Sequence, residues 1–220
     1  MADVRSCKIL VLVEGQTEEA FVKKVLSPYY ESKGLYLLPH LLTPRRSAGG
    51  IQYFGKRGIQ GDVRKCLNDS SARWVTTMID YYGLATNFPG YDQVKTRSSC
   101  FEKVECLEDE FRKDINHPRF LPYRQLHEFE ALLFTSINGF QKYFPNKTEE
   151  HRQIEKVINQ FPCPEEINEG KATHPSRRIS DLFPEYQKTV HGSWFSSELG
   201  IDSIRARCPH FDRWLTRLET

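Results

Sequence analysis

The chain has 220 residues, 39% of them hydrophobic and 27% charged, with a formal net charge of +2. That length is enough to bury a full core, and the composition excludes disordered and fibrous classes. A charge so near zero excludes a global polycation, so any contact with phosphate or nucleic acid must come from local clusters.

In chain order, Lys8 to Val13 (KILVLV) is a continuous β-branched and leucine run, the pattern of a strand buried on both faces of a parallel sheet. Helical spacing follows from Gln16 to Ser27, with Thr17 placed to cap it and Pro28 to close it. Leu35 to Leu42 is a second apolar run, and Pro39 inside it argues for an edge strand or a bulge. Thr43 to Gly61 is glycine-rich and basic, which predicts a flexible loop leading into a helix over Asp62 to Leu67. Arg73 to Ile79 (RWVTTMI) reads as a third strand ending at Asp80, and Ser99 to Asp114 as an amphipathic helix. A fourth strand from Arg119 to Leu126, interrupted by Pro122, runs into a helix over HEFEALLF.

Strands and helices thus alternate up to about Phe134, which predicts an α/β fold: a mostly parallel sheet flanked by helices. The strand pattern then fades into short helices separated by Pro and Gly. This divides the chain into an α/β core over residues 1–135 and a C-terminal helical extension over residues 136–220, its last helix burying Phe211, Trp214, Leu215 and Leu218. Six scattered cysteines with no C-x-x-C pair, and a start lacking the apolar core of a signal peptide, point to reduced thiols in the cytoplasm. No apolar run approaches the roughly 18 residues of a membrane span, so no membrane partner is expected.

Ligands of an open parallel sheet collect outside the carboxyl ends of its strands. Three acidic sets fall there: Glu14 and Glu18 in VEGQTE, Asp80, and Glu128 with Glu130. Carboxylates without histidine or cysteine ligands match hard cations, Mg²⁺ or Mn²⁺, and such ions suit phosphodiester chemistry. Taken singly, each set has a plainer reading. Glu18 starts a helix, Asp80 ends a strand in a turn, and Glu128 and Glu130 form an acidic first helical turn.

A second constellation, EGKATHPSRRI, gathers Lys171, Ser176, Arg177 and Arg178 where a loop enters a helix, placed either to hold a phosphate or to cap a helix with a solvated basic face. Arg45, Arg46, Lys56 and Arg57 in the glycine-rich loop are suited to a nucleic-acid backbone, or to solubility alone. His127 adjoins the acidic pair as a proton shuttle or a packed core residue.

The order LVLVEGQTE, then MIDYYGL, then RQLHEFEALLF resembles the Toprim domain of OLD-type nucleases and, more closely, a bacterial Toprim-like family of unknown function often encoded beside an ABC-type ATPase. The closer likeness continues through ATHPSRRI to RCPHFDRWL. It implies a Toprim-like α/β core in which Glu14 binds metal or acts as general acid/base, Glu18 and Asp80 add ligands, and Glu130 takes the late acidic position. It further implies a metal-dependent nuclease acting on DNA or RNA in anti-phage defence, with an ABC-type ATPase as partner. The usual Asp-x-Asp of that domain reads Asp80-Tyr81-Tyr82 here, so the second aspartate is missing. That departure keeps two alternatives in view: a non-catalytic binding or sensor subunit, and a small-molecule phosphohydrolase.

Overall fold

The computed structural model describes residues 7–43, 46–47, 50–55, 58–167, 170 and 172–220. They form two compact units, the first ending at Gln125 and the second spanning Leu126–Thr220. No helix among the described residues is long and apolar enough to cross a membrane.

The first unit is α/β. Its strands β1 (Cys7–Val13), β2 (Leu35–Leu41), β5 (Ala72–Asp80), β6 (Phe120–Leu121) and β7 (Arg124–Gln125) form one parallel sheet. Its order is β2-β1-β5-β6, with β7 also pairing β5. A separate antiparallel pair joins β3 (Arg46–Ser47) and β4 (Gly50–Ile51). The run Ile9 to Val13 is buried throughout, as its lack of alternation predicts.

β2 is an edge strand, as Pro39 suggested. Cys7 N–H donates to Gly34 O, and Leu42 N–H to Val13 O. Even-numbered residues therefore turn their amides toward β1, and Pro39 lies on the outer edge, where no ladder bond is lost for want of its N–H.

Between β1 and β2 the helix does not stop before Pro28. It runs as α1 (Gln16–Phe21), a π turn (Val22–Leu26) and α2 (Ser27–Glu31). Ser27 N–H reaches back five residues to Val22 O, and this wider register admits a proline that a regular α-helix would reject.

Helix α3 (Ile59–Leu67) begins earlier than the glycines suggested, and α4 (Cys100–Ile115) is capped by Ser99, whose Oγ accepts from Phe101 N–H at 3.1 Å. The aromatic rings of Tyr53, Phe88 and Phe120 pack edge-on around Phe111, at centroid distances of 5.5, 5.1 and 4.8 Å. The fourth strand is split at Pro122 into β6 and β7. Two buried β5 threonines span the break: Thr76 Oγ1 donates to Leu121 O at 2.6 Å and Thr77 Oγ1 to Tyr123 O at 2.8 Å.

The second unit is helical. The segment Phe129–Thr135 is a 3-10 helix instead of the α-helix expected, buried along its whole length. It is followed by α5 (Asn138–Tyr143), α6 (Thr148–Gln160), α7 (Pro175–Leu182), α8 (Lys188–Leu199), α9 (Ile201–Arg207) and α10 (Pro209–Glu219). Phe140, Phe183 and Phe195 are fully buried in its core, and α10 buries Phe211, Trp214, Leu215 and Leu218 as its periodicity predicts.

Candidate functional site

From β1 the chain crosses to β2 on one side and then returns past β1 to β5 on the other. The winding therefore changes direction between β1 and β5, and a crevice opens at such a switch point outside the carboxyl ends of the two strands. Glu14 directly follows β1, and Asp80 is the last residue of β5. Two of the carboxylates expected at the site, Glu14 and Asp80, thus come from neighbouring parallel strands on either side of this point.

Arg124, which the sequence reading passed over, belongs with them. It pairs with Ile79 of β5 and is 1% exposed. Its backbone N–H donates to Glu108 Oε1 of α4 at 2.7 Å, its Nη2 donates to Asp80 O, and its guanidinium lies 4.5 Å from the Phe88 ring centroid. Burial pulls the guanidinium pKa down to about 10, opposed by the negative charges of Glu14, Asp80 and Glu108, in that order. Its Nε and Nη1 make no hydrogen bond among the described residues. The one sequence signal was an arginine inside a stretch otherwise patterned for burial.

Glu18 is buried in the first turn of α1, and its Oε2 accepts the Gly15 N–H at 2.9 Å. The glutamate therefore caps the helix, as its plainer reading held. Gly15 has φ −149°, an extended conformation open to any residue, so its role is clearance: a Cβ there would lie 3.2 Å from Glu18 Oε2. Tyr82, where the resemblance would have an aspartate, is 40% exposed.

Glu128 and Glu130 belong to the second unit and are held by partners within it. Glu128 Oε2 accepts from Ser176 N–H at 2.9 Å and lies 3.0 Å from His174 Nδ1, while Oε1 accepts from Ser176 Oγ at 3.1 Å. Burial would raise the Glu128 carboxyl, but the Ser176 N–H, Lys188, the Ser176 hydroxyl and His174 together hold it below its ordinary value. Glu130 is 2% exposed and pairs with Lys188 Nζ at 3.1 Å. Burial pushes its pKa up, with Lys188 opposing.

Both Ser176 donors that were candidates for a phosphate are thus directed at Glu128. Arg177 Nε donates to Asp181 at 2.9 Å and Arg178 Nε to Thr173 O at 2.5 Å. Lys171, Arg45, Lys56 and Arg57 lie outside the described residues, and Arg46 is described only in its backbone. His127 is 2% exposed with φ 60°, a left-handed conformation that is uncommon outside glycine.

The second unit repeats this capping device. Helix α10 also opens with a proline, and Glu165, fully buried, accepts from His210 N–H at 2.9 Å and Phe211 N–H at 3.0 Å. In both helices the proline supplies no N–H at the first position, and a distant carboxylate takes the next donors.

The donors at the switch point fit a hard divalent cation in kind, since Glu14 and Asp80 offer only carboxylate oxygens. Among the described residues no group of three or more His, Cys, Asp or Glu is arranged to hold a metal ion.

The chain matches no curated protein and no solved structure. A family model described as Domain of unknown function (DUF4276) matches residues 13–219. That span includes Glu14, Asp80, Arg124 and both glutamate-capped helices, and over nearly its whole length the chain belongs to the DUF4276 family.

Proposed function

We propose that the protein is a divalent-metal-dependent phosphodiesterase acting on nucleic acid, a cytoplasmic effector of anti-phage defence working with an ABC-type ATPase. The observation that carries the chemistry is the pairing of Glu14 and Asp80 across the switch point of a parallel sheet, beside the buried Arg124. The defence setting and the partner rest on the likeness to Toprim-like proteins alone.

In this reading Glu14 and Asp80 hold Mg²⁺ or Mn²⁺. A divalent ion there supplies positive charge to a phosphate oxygen and activates water at neutral pH. Glu14, at the exit of a rigid buried strand, is also placed to take a proton from the attacking water. Arg124 places a buried positive charge beside the ends of the two strands. Glu18 contributes by fixing the β1–α1 turn through Gly15. Glu128 is hydrogen-bonded and Glu130 ion-paired within the second unit, so the proposal does not depend on them.

The purified protein, given Mg²⁺ or Mn²⁺, is expected to cleave at least one of plasmid DNA, single-stranded DNA or RNA, and Glu14→Ala to abolish that cleavage. Cleavage that survives Glu14→Ala, or no cleavage with the ATPase partner added, overturns the reading. A non-catalytic sensor is the second reading, favoured by Tyr82 and by the built-in counter-charge of Arg124. It predicts nucleic-acid binding that neither metal nor Glu14→Ala alters.

A further inference from the structure

We propose that Arg124 is the resident cation of the Glu14–Asp80 site, holding its divalent-metal affinity low until an anionic phosphate group arrives. The inference rests on the reading of Glu14 and Asp80 as the metal-holding pair, and assigns Arg124 as the positioning residue that couples metal to substrate.

The guanidinium cannot leave. Its backbone is paired to Ile79 within the sheet, its N–H is held by Glu108 at 2.7 Å, its Nη2 is bound to Asp80 O, and Phe88 covers one face. A lysine on its flexible stem could swing away to admit another cation, whereas this arginine is held through Nη2 and by the Phe88 ring on one face. Nη2 on the carbonyl of Asp80, and the pairing of Arg124 with β5 directly beside β1, set a fixed positive charge at the strand ends that carry Glu14 and Asp80.

A divalent ion entering between these carboxylates meets that charge at short range, in an interior where Coulomb interactions are poorly screened. Metal binding to the free protein is weakened accordingly. Nε and Nη1 of Arg124 are meanwhile buried and make no hydrogen bond among the described residues. A buried charged donor left in this state favours any acceptor brought within reach. A phosphate oxygen is such an acceptor, and its negative charge also offsets the repulsion between guanidinium and metal. Metal and phosphate should therefore bind cooperatively, and each should bind poorly alone.

The test is Mn²⁺ titration of the full chain, followed by electron paramagnetic resonance, with and without inorganic phosphate. The wild-type protein should bind Mn²⁺ weakly, and phosphate should tighten binding at least tenfold. Arg124→Gln should bind Mn²⁺ alone at least tenfold more tightly than wild type and lose the phosphate effect. Arg124→Lys, which keeps the charge on a stem that can swing aside, should fall between wild type and Arg124→Gln without phosphate.

An Mn²⁺ affinity in folded Arg124→Gln within twofold of wild type overturns the proposal, as does the absence of phosphate cooperativity in the wild-type protein. The second outcome needs no variant, so a misfolded Arg124→Gln leaves the proposal open to refutation. Because no nucleic acid is cleaved in these titrations, their failure is distinct from failure of the nuclease reading, which the plasmid assay reads.

Discussion

At the scale of single residues, the carboxylates do different work according to what surrounds them. Glu18 and Glu128 each accept backbone N–H groups, and the sequence shows why only the first was foreseeable. Glu18 caps a turn three residues away, whereas Glu128 caps a helix 48 residues further on. The pKa of Glu128 is lowered by folding, so its ionised form stabilises the fold above the unfolded value near 4.5, and that stability is lost as pH falls through the lower folded value. Thermal unfolding at pH 7 and pH 3.5 should show wild type losing more stability on acidification than Glu128→Gln. Glu128→Ala should cost about 1–3 kcal/mol at pH 7, because it leaves the Ser176 donors buried and unmet. An acid limb unchanged in Glu128→Gln would show that this carboxylate does not cap α7.

At the scale of elements, close approach of helices decides which small residues are required. Gly139 in α5 faces Phe195 of α8, and a Cβ at Gly139 would lie 2.9 Å from Phe195 Cγ. Phe195 is fully buried and stacked on Tyr143 at 5.4 Å, so it has little room to yield. Alanine normally favours a helix over glycine by about 1 kcal/mol, but overpacking a full core costs about 1–3 kcal/mol, so the clash should prevail. Gly139→Ala is expected to lower the denaturant midpoint, and Phe195→Leu in the same chain to recover part of the loss. Additive effects of the two substitutions would count against a direct contact.

At the scale of the whole molecule, a net charge of +2 limits how nucleic acid can be held. Phosphates must be met by local basic clusters instead of a global field, and the slope of log affinity against log salt is roughly −0.9 per phosphate contact on duplex DNA. Duplex binding, measured by fluorescence anisotropy from 50 to 200 mM salt, should give a slope shallower than about −4. A slope near −10 would require about eleven phosphate contacts at once and would overturn this expectation.

What the sequence determined by itself was local. KILVLV and RWVTTMI announce buried parallel strands, their ends announce Glu14 and Asp80, and the spacing of Phe101, Val104, Leu107 and Phe111 announces α4. Each of these follows from a period of two or 3.6 residues or from an uninterrupted apolar run, which a short window of chain displays in full. Only the tertiary structure decided that β1 lies directly beside β5, that Arg124 is buried against the charges at their ends, and that Glu128 and Glu165 cap helices far along the chain. Strand order and long-range capping join groups separated by tens of residues, and nothing periodic in the intervening chain records which partner each will meet.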